Sequence, residues 1–205
     1  MQLTNNRQFL RTAIENYKEA AQVLGRAFLD EPVSQRVYQN LSPNKRLKNL
    51  IADFTGELLV CIQKGEPVHI EQNGKIVAVA SIYPPGIYPL SRLDELRLLF
   101  WTIWGHSFYN FRIWLKWLEQ AGKHHPQEPH YYLEYVGVEP SMQGSGLGSM
   151  LLKYLTTQAD KAQVGCYLET ATRKNLPLYQ RFGFQVIYED EIIGLPAWFM
   201  WRHYV

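Results

Sequence analysis

The chain has 205 residues, 46% of them hydrophobic and 20% charged, a composition that fits one globular domain and excludes a disordered chain. Lys and Arg number 21 against 19 Asp and Glu, leaving +2, so nothing draws the chain generally to nucleic acid or to an anionic membrane. Two cysteines without a CxxC pair exclude a disulfide framework and zinc or dithiol chemistry.

The thiols read as buried in a reducing compartment, and the amino terminus lacks the apolar run of a signal peptide. The expectation is a cytoplasmic protein. Residues 8–14 read as a first strand. Residues 15–29 place Ala20, Val23, Leu24, Ala27 and Phe28 on a helical stripe that Asp30-Glu31-Pro32 stops. Ser42 and Pro43 open a second helix over 45–64, with Ser42 as the expected N-cap. Val68–Gln72 and Lys75–Tyr83 flank Asn73-Gly74, the signature of a tight β-hairpin. Pro84-Pro85-Gly86 closes the second strand.

Residues 91–104 and 106–121 then read as two helices. The stretch 98–118 holds four of the six tryptophans. His106, Asn110, Arg112 and Lys116 interrupt it, so it is not a membrane span. Buried packing is the plain reading. The tryptophan excess also suits a lid over an apolar ligand, a homodimer face or an interfacial anchor. Residues 123–129 read as a surface loop. His124, His125 and His130 have no cysteine or acidic cluster beside them and read as surface histidines, with no metal implied. His69 and His106 have no assignable partner.

His130–Val138 returns to strand. Residues 145–162 form a helix with Leu147, Met150, Leu151, Tyr154, Leu155 and Ala159 on its apolar face. A strand over 164–170, a short helix over 176–182 ended by Gly183, and two antiparallel strands over 184–193 and 198–205 complete the chain. This order makes one α/β domain over 1–205, a mixed sheet with helices on its faces.

The informative segment runs from Tyr131 to Gly148. A strand feeds Gln143-Gly144-Ser145-Gly146-Leu147-Gly148 and then a long helix. Glycine admits positive φ and close approach of a ligand to the main chain. Amides at a helix start are unpaired and sit at the positive end of the dipole. Together they make a cradle for a phosphate or diphosphate. A P-loop is excluded because Gly144 to Ser149 contains no lysine. A dinucleotide or methyltransferase fold expects its glycine turn near the start of a parallel sheet, whereas only three strands follow this one.

Gln143-x-x-Gly146-x-Gly148, after a strand that ends Val138-Glu139-Pro140, resembles the diphosphate-binding motif of the GNAT superfamily of acyl-CoA-dependent N-acyltransferases. Asn175-x-x-x-Tyr179 followed by Gln180-Arg181-Phe182-Gly183-Phe184 resembles that family's second motif. The resemblance covers about residues 130–190. Residues 86–122 match nothing in it and read as a helical, aromatic-rich insertion. It implies a GNAT-like mixed, mostly antiparallel sheet splayed between the fourth and fifth strands. It also implies acetyl transfer from acetyl-CoA to a primary amine by direct attack in a ternary complex, without a metal. The inward face of the active strand carries no cysteine for a covalent route.

By the same resemblance, main-chain amides of Gln143, Gly144, Ser145, Gly146, Leu147 and Gly148 hold the diphosphate, with the Ser149 hydroxyl beside them. The main chain of Val136 and Val138 would pair with the pantetheine arm as an added strand, with an amide near Val136 as the oxyanion donor. Tyr179 stands where the family carries its general acid; the plain alternative is a core tyrosine on an amphipathic helix. Asn175 either bonds the cofactor arm or caps the helix before Leu176-Pro177. Arg173 and Lys174 either reach the 3′-phosphate or are simply solvated.

A protonated alkyl amine, pKa about 10.4, must lose a proton before it attacks. Strand alternation puts Tyr132, Glu134, Val136 and Val138 on one face, where Glu134 is the only carboxylate. Partial burial would raise its pKa into a useful range. It is the candidate base, against the alternative of a solvated or paired glutamate, and Tyr132 is a candidate for orienting water or substrate. The sequence displays no acidic cluster that would select a polyamine and no groove for a peptide. If the insertion caps the acceptor side, the acceptor is a small amine with a hydrophobic or aromatic body. Two other classes stay open: a protein or peptide N-acetyltransferase, and a non-catalytic acyl-CoA sensor or interaction module.

Overall fold

The computed structural model describes residues 7–13, 15–91, 93 and 108–205. Strand β1 (Arg7–Arg11) is followed by helices α1 (Tyr17–Ala27), α2 (Pro32–Val37) and α3 (Pro43–Lys64). Asn73 and Gly74 both take left-handed backbone, φ 54° and 72°, and join β2 (Val68–Gln72) to β3 (Lys75–Tyr83) as the hairpin signal predicts. Helix α4 (Phe108–Gly122) leads to β4 (His130–Val138), α5 (Leu147–Ala162), β5 (Gly165–Thr170), α6 (Leu176–Arg181), β6 (Gln185–Ile192) and β7 (Leu195–Arg202).

The described strands form one sheet in the order β1-β2-β3-β4-β5-β7-β6. Every pair is antiparallel except β4 and β5. That parallel pair is matched only from His130–Gly165 to Tyr132–Tyr167. Beyond it the two strands diverge, and the β5-facing edge of β4 is left open. Leu147, Leu151, Leu152 and Leu155 of α5 pack with Ile82, Leu133 and Leu168 on one face of the sheet. On the other face α1, α2 and α3 surround Val79 and Tyr135, and α4 sets Trp117 and Ala121 against Tyr132, Tyr167 and Phe199. Gly137 permits that closeness. A Cβ there would stand 2.8 Å from Leu24 and 3.0 Å from Ala27 of α1.

Several local expectations are corrected. The first strand ends at Arg11, and Ile14 lies outside the described residues. Asp30-Glu31-Pro32 ends α1 but also starts α2: the Glu31 carboxylate accepts from the Ser34 amide at 3.0 Å, with Pro32 in the first turn. Ser42 holds the N-cap position of α3 with extended backbone, yet its side chain makes no capping bond. The helix expected over 91–104 lies almost wholly outside the described residues, as do Trp101 and Trp104. No described helix is long and apolar enough to cross a membrane.

His125 and His130 are also not simple surface groups. His130 is 7% exposed and sits edge-on to Tyr167 and Trp201. His125 folds back onto Tyr88, Tyr132 and Tyr167, and burial holds it neutral by pushing its pKa down to about 4. His124 stacks on Tyr188 and lies 3.0 Å from Asp190. His69 is fully buried and does have partners, Thr12 at 3.0 Å and Glu71 at 3.2 Å. Both cysteines are buried and free.

Candidate active site

Between β4 and α5 the chain makes a short 3-10 turn, Pro140–Met142, and then two left-handed glycines, Gly144 at φ 77° and Gly146 at φ 86°. Gly146 is the N-cap, so the helix begins at Leu147, two residues later than the sequence pattern placed it. The first bond of this turn runs from the Met150 amide to the Gly146 carbonyl, 3.1 Å. The amides of Leu147, Gly148 and Ser149 precede it and have no carbonyl of their own helix to bond. A Cβ at Gly144 or Gly146 would meet nothing within 4 Å, so open space lies over the donors. Gln143 and Ser145 turn their amides inward, weakly, to Pro140 and Met142 at 3.4 Å. The Ser145 hydroxyl donates to the Met142 carbonyl at 2.6 Å, and the Gln143 amide group donates to the Val138 carbonyl at 3.3 Å. Unpaired amides, the positive end of a sixteen-residue helix and unfilled space fit a diphosphate. Arg26 of α1 clasps Glu139 with three contacts of 2.8–3.0 Å and fixes the exit of β4 beside this turn.

One reading of β4 is overturned. Ser81 pairs with Tyr135 and Ile82 with Leu133, so a bulge leaves Glu134 without an opposite residue. The extra residue shifts the alternation. Val136 and Val138 pack towards α5, whereas Tyr132 and Tyr135 face the α1–α4 side. Glu134 lies on that second side, where its charge is felt by Glu57 of α3 and Glu169 of β5. It does not share a face with Val136 and Val138.

Nor is Glu134 alone. A cavity of about 830 Å3 opens between the splayed strands and α1–α4, and Glu31, Asp53, Glu57, Glu134 and Glu169 all line it. Burial pushes Glu57 up to about 8, with Asp53 adding to the effect. Burial likewise lifts Glu169 to about 7, although the Tyr132 phenol donates to it at 2.6 Å. Burial, then Glu57 and Glu169, raise Glu134 well above the carboxylate range. One oxygen on each of Glu57, Glu134 and Glu169 is buried without a hydrogen-bond partner among the described residues. No local pattern marks this acidic cluster, since Glu57 is one position of a long helix and Glu169 the end of a strand about a hundred residues on.

Tyr179 lines the same cavity and is 5% exposed. Burial pushes its phenol up to about 12, and the Asn175 side chain hydrogen-bonds it. Asn175 does occupy the N-cap position of α6, but with helical backbone and no capping bond. Its side chain serves the tyrosine instead. Arg173 and Lys174 are exposed on the adjoining 3-10 turn. Above the carboxylates the wall is aromatic. Phe54 lies 5.1 Å from Phe28 and meets Tyr135 edge-on at 5.1 Å. Tyr88, Leu90, Trp114 and Trp117, from the segment read as an insertion, close the opposite side.

The sequence profile of the Acetyltransferase (GNAT) family matches residues 52–184. An uncharacterized N-acetyltransferase of Schizosaccharomyces pombe is 25% identical over 190 residues, covering 89% of this chain and 75% of its own. A Corynebacterium glutamicum crystal structure, described as histone acetyltransferase HPA2 and related acetyltransferase, superposes with TM-score 0.68 at 27% identity, covering 97% of each chain. Arylalkylamine N-acetyltransferase 2 of Aedes aegypti superposes with TM-score 0.68 at 15% identity, covering 97% of this chain and 99% of its own.

Proposed function

From the premise that the chain belongs to the GNAT acetyltransferase family and is an acetyl-CoA-dependent N-acetyltransferase, we propose that its acceptor is the primary amine of a small molecule. The amine attacks the thioester directly in a ternary complex, and acetyl-CoA supplies the acyl group. The amides from Gln143 to Gly148, with the Ser149 hydroxyl, bind the diphosphate. The open edge of β4 at Val136 and Val138 takes the pantetheine arm by strand addition, and Asn175 borders its path.

Glu134, with Glu169 beside it, accepts the ammonium proton. A buried carboxylate of raised pKa is a stronger base than a solvated one, which narrows the gap to an amine at about 10.4. Tyr179 is protonated throughout the neutral range and donates a hydrogen bond where the leaving sulfur gathers charge. The aromatic walls suit the body of a small amine, and an arylalkylamine N-acetyltransferase shares the fold. The observation that carries this reading is the junction of the glycine turn, the splayed edge of β4 and the carboxylate-lined cavity.

The test is thiol release from acetyl-CoA with a panel of small amines and lysine-bearing peptides. Small amines should be turned over, and Tyr179→Phe should lower kcat by about 10²-fold with CoA binding retained. Turnover confined to basic peptides would replace the small-molecule reading with a peptide acetyltransferase. CoA binding with no amine-dependent thiol release would leave a sensor.

A further inference from the structure

The cavity has an unbalanced charge. Glu31, Asp53, Glu57, Glu134 and Glu169 line it, and no lysine or arginine does so among the described residues. His125, the imidazole among the described lining residues, is held neutral by burial. Glu57 is 7% exposed, and its Oε2, with those of Glu134 and Glu169, is buried without a partner among the described residues. A buried acceptor left unpaired is costly, and a native protein retains one where something else completes it. Carboxylates gathered and buried in one cavity do not all ionise without a counter-cation. A metal ion does not meet the geometry, since no group of three such side chains converges as a metal site among the described residues. An organic cation is the complement that remains.

The carboxylates stand on two walls. Glu134 on β4 and Glu169 on β5, the latter accepting from Tyr132, flank the splay between those strands, whereas Asp53 and Glu57 stand one helical turn apart on α3, with Asp53 accepting from Tyr38. Glu169 is thus at the reacting end and the Asp53–Glu57 face of α3 at the far end. Between them the wall is Phe54, Tyr135 and Phe28.

We propose that the acceptor is a diamine, its reacting nitrogen at Glu134 and Glu169 and its second nitrogen held as an ammonium ion by Glu57 with Asp53, the two joined by an apolar spacer along the aromatic wall. This rests on the acetyl-transfer reading and names the substrate class of that site. Only one nitrogen gives up its proton to become the attacking amine; the other remains an ammonium ion.

The experiment compares α,ω-diamines with n-alkylamines of equal length, by acetyl-CoA-dependent thiol release and by calorimetric binding to the CoA-loaded protein. The diamine should be preferred in kcat/KM by about ten- to a hundredfold at an optimal length, the scale of one charge-assisted hydrogen bond. Glu57→Gln should cut that preference at least tenfold, with its CoA affinity reporting an intact fold. Leu58, in the adjacent core, is left untouched. Equal kcat/KM for diamine and monoamine, or an equal loss for both in Glu57→Gln, overturns the diamine proposal and leaves acetyl transfer standing. If no amine releases thiol, the acetyl-transfer reading falls, and the dissociation constants still judge the diamine: tighter diamine than monoamine binding supports it, and parity overturns it.

Discussion

Glu134 shows how far a single residue can be read. Its type and its place on a strand rich in tyrosine identified a candidate base, but the bulge that turns it towards Glu57 and Glu169 is a property of two strands in register. Alternation fails by one residue wherever such an insertion occurs. Its neighbour Glu169 is the group that sets a measurable pH response. With its pKa lifted to about 7, it is ionised and able to take a proton above that value and protonated below it. The amine also becomes neutral only as pH rises. Both effects have the same sign, so kcat/KM should rise with pH through about 7 and continue towards the pKa of the free amine. In Glu169→Gln the limb near 7 should disappear from the rate profile. A profile unchanged by that substitution would assign the limb elsewhere.

Among the elements, the turn before α5 was the most legible in sequence. Left-handed glycines and the unpaired first amides of a helix are local matters, and the local pattern Gln143-Gly144-Ser145-Gly146-Leu147-Gly148 carries them. Gly146→Ala should therefore act through backbone and ligand, since a Cβ there strikes no protein atom. The left-handed φ costs roughly 1–2 kcal/mol in a non-glycine residue, to be seen as a lower denaturation midpoint. The methyl also enters the space above the donors, and CoA affinity measured by calorimetry should drop by about tenfold or more. Unchanged CoA affinity would move the diphosphate away from this turn. By contrast, α2 was missed because Asp30-Glu31-Pro32 carries a stop and a start signal in three residues, and the side chain of Glu31 completes the start.

In the whole molecule, the buried carboxylates of the cavity couple stability to pH. Glu57 near 8 and Glu169 near 7 lie above the ordinary value of 4.5, so the folded state holds protons that the unfolded chain has released. Their contribution to stability is full below the unfolded value and is lost as pH rises through about 7 to 8. The melting temperature of the ligand-free protein should fall between about pH 5.5 and 8.5, and Glu57→Gln should flatten that fall, as followed by scanning calorimetry in matched buffers. A parallel fall in both proteins would remove Glu57 from the account. The sequence by itself determined the hairpin, the order of the strands and the glycine turn, because each follows from chemistry within a few residues, and the resemblance to a family motif pointed to the Asn175–Tyr179 segment. Only the tertiary structure decided that His69 and His130 are buried and that α3, β4 and β5 bring Glu57, Glu134 and Glu169 to one cavity. Residues far apart in the chain share a site through sheet register and helix packing, and no local pattern records where those will bring them.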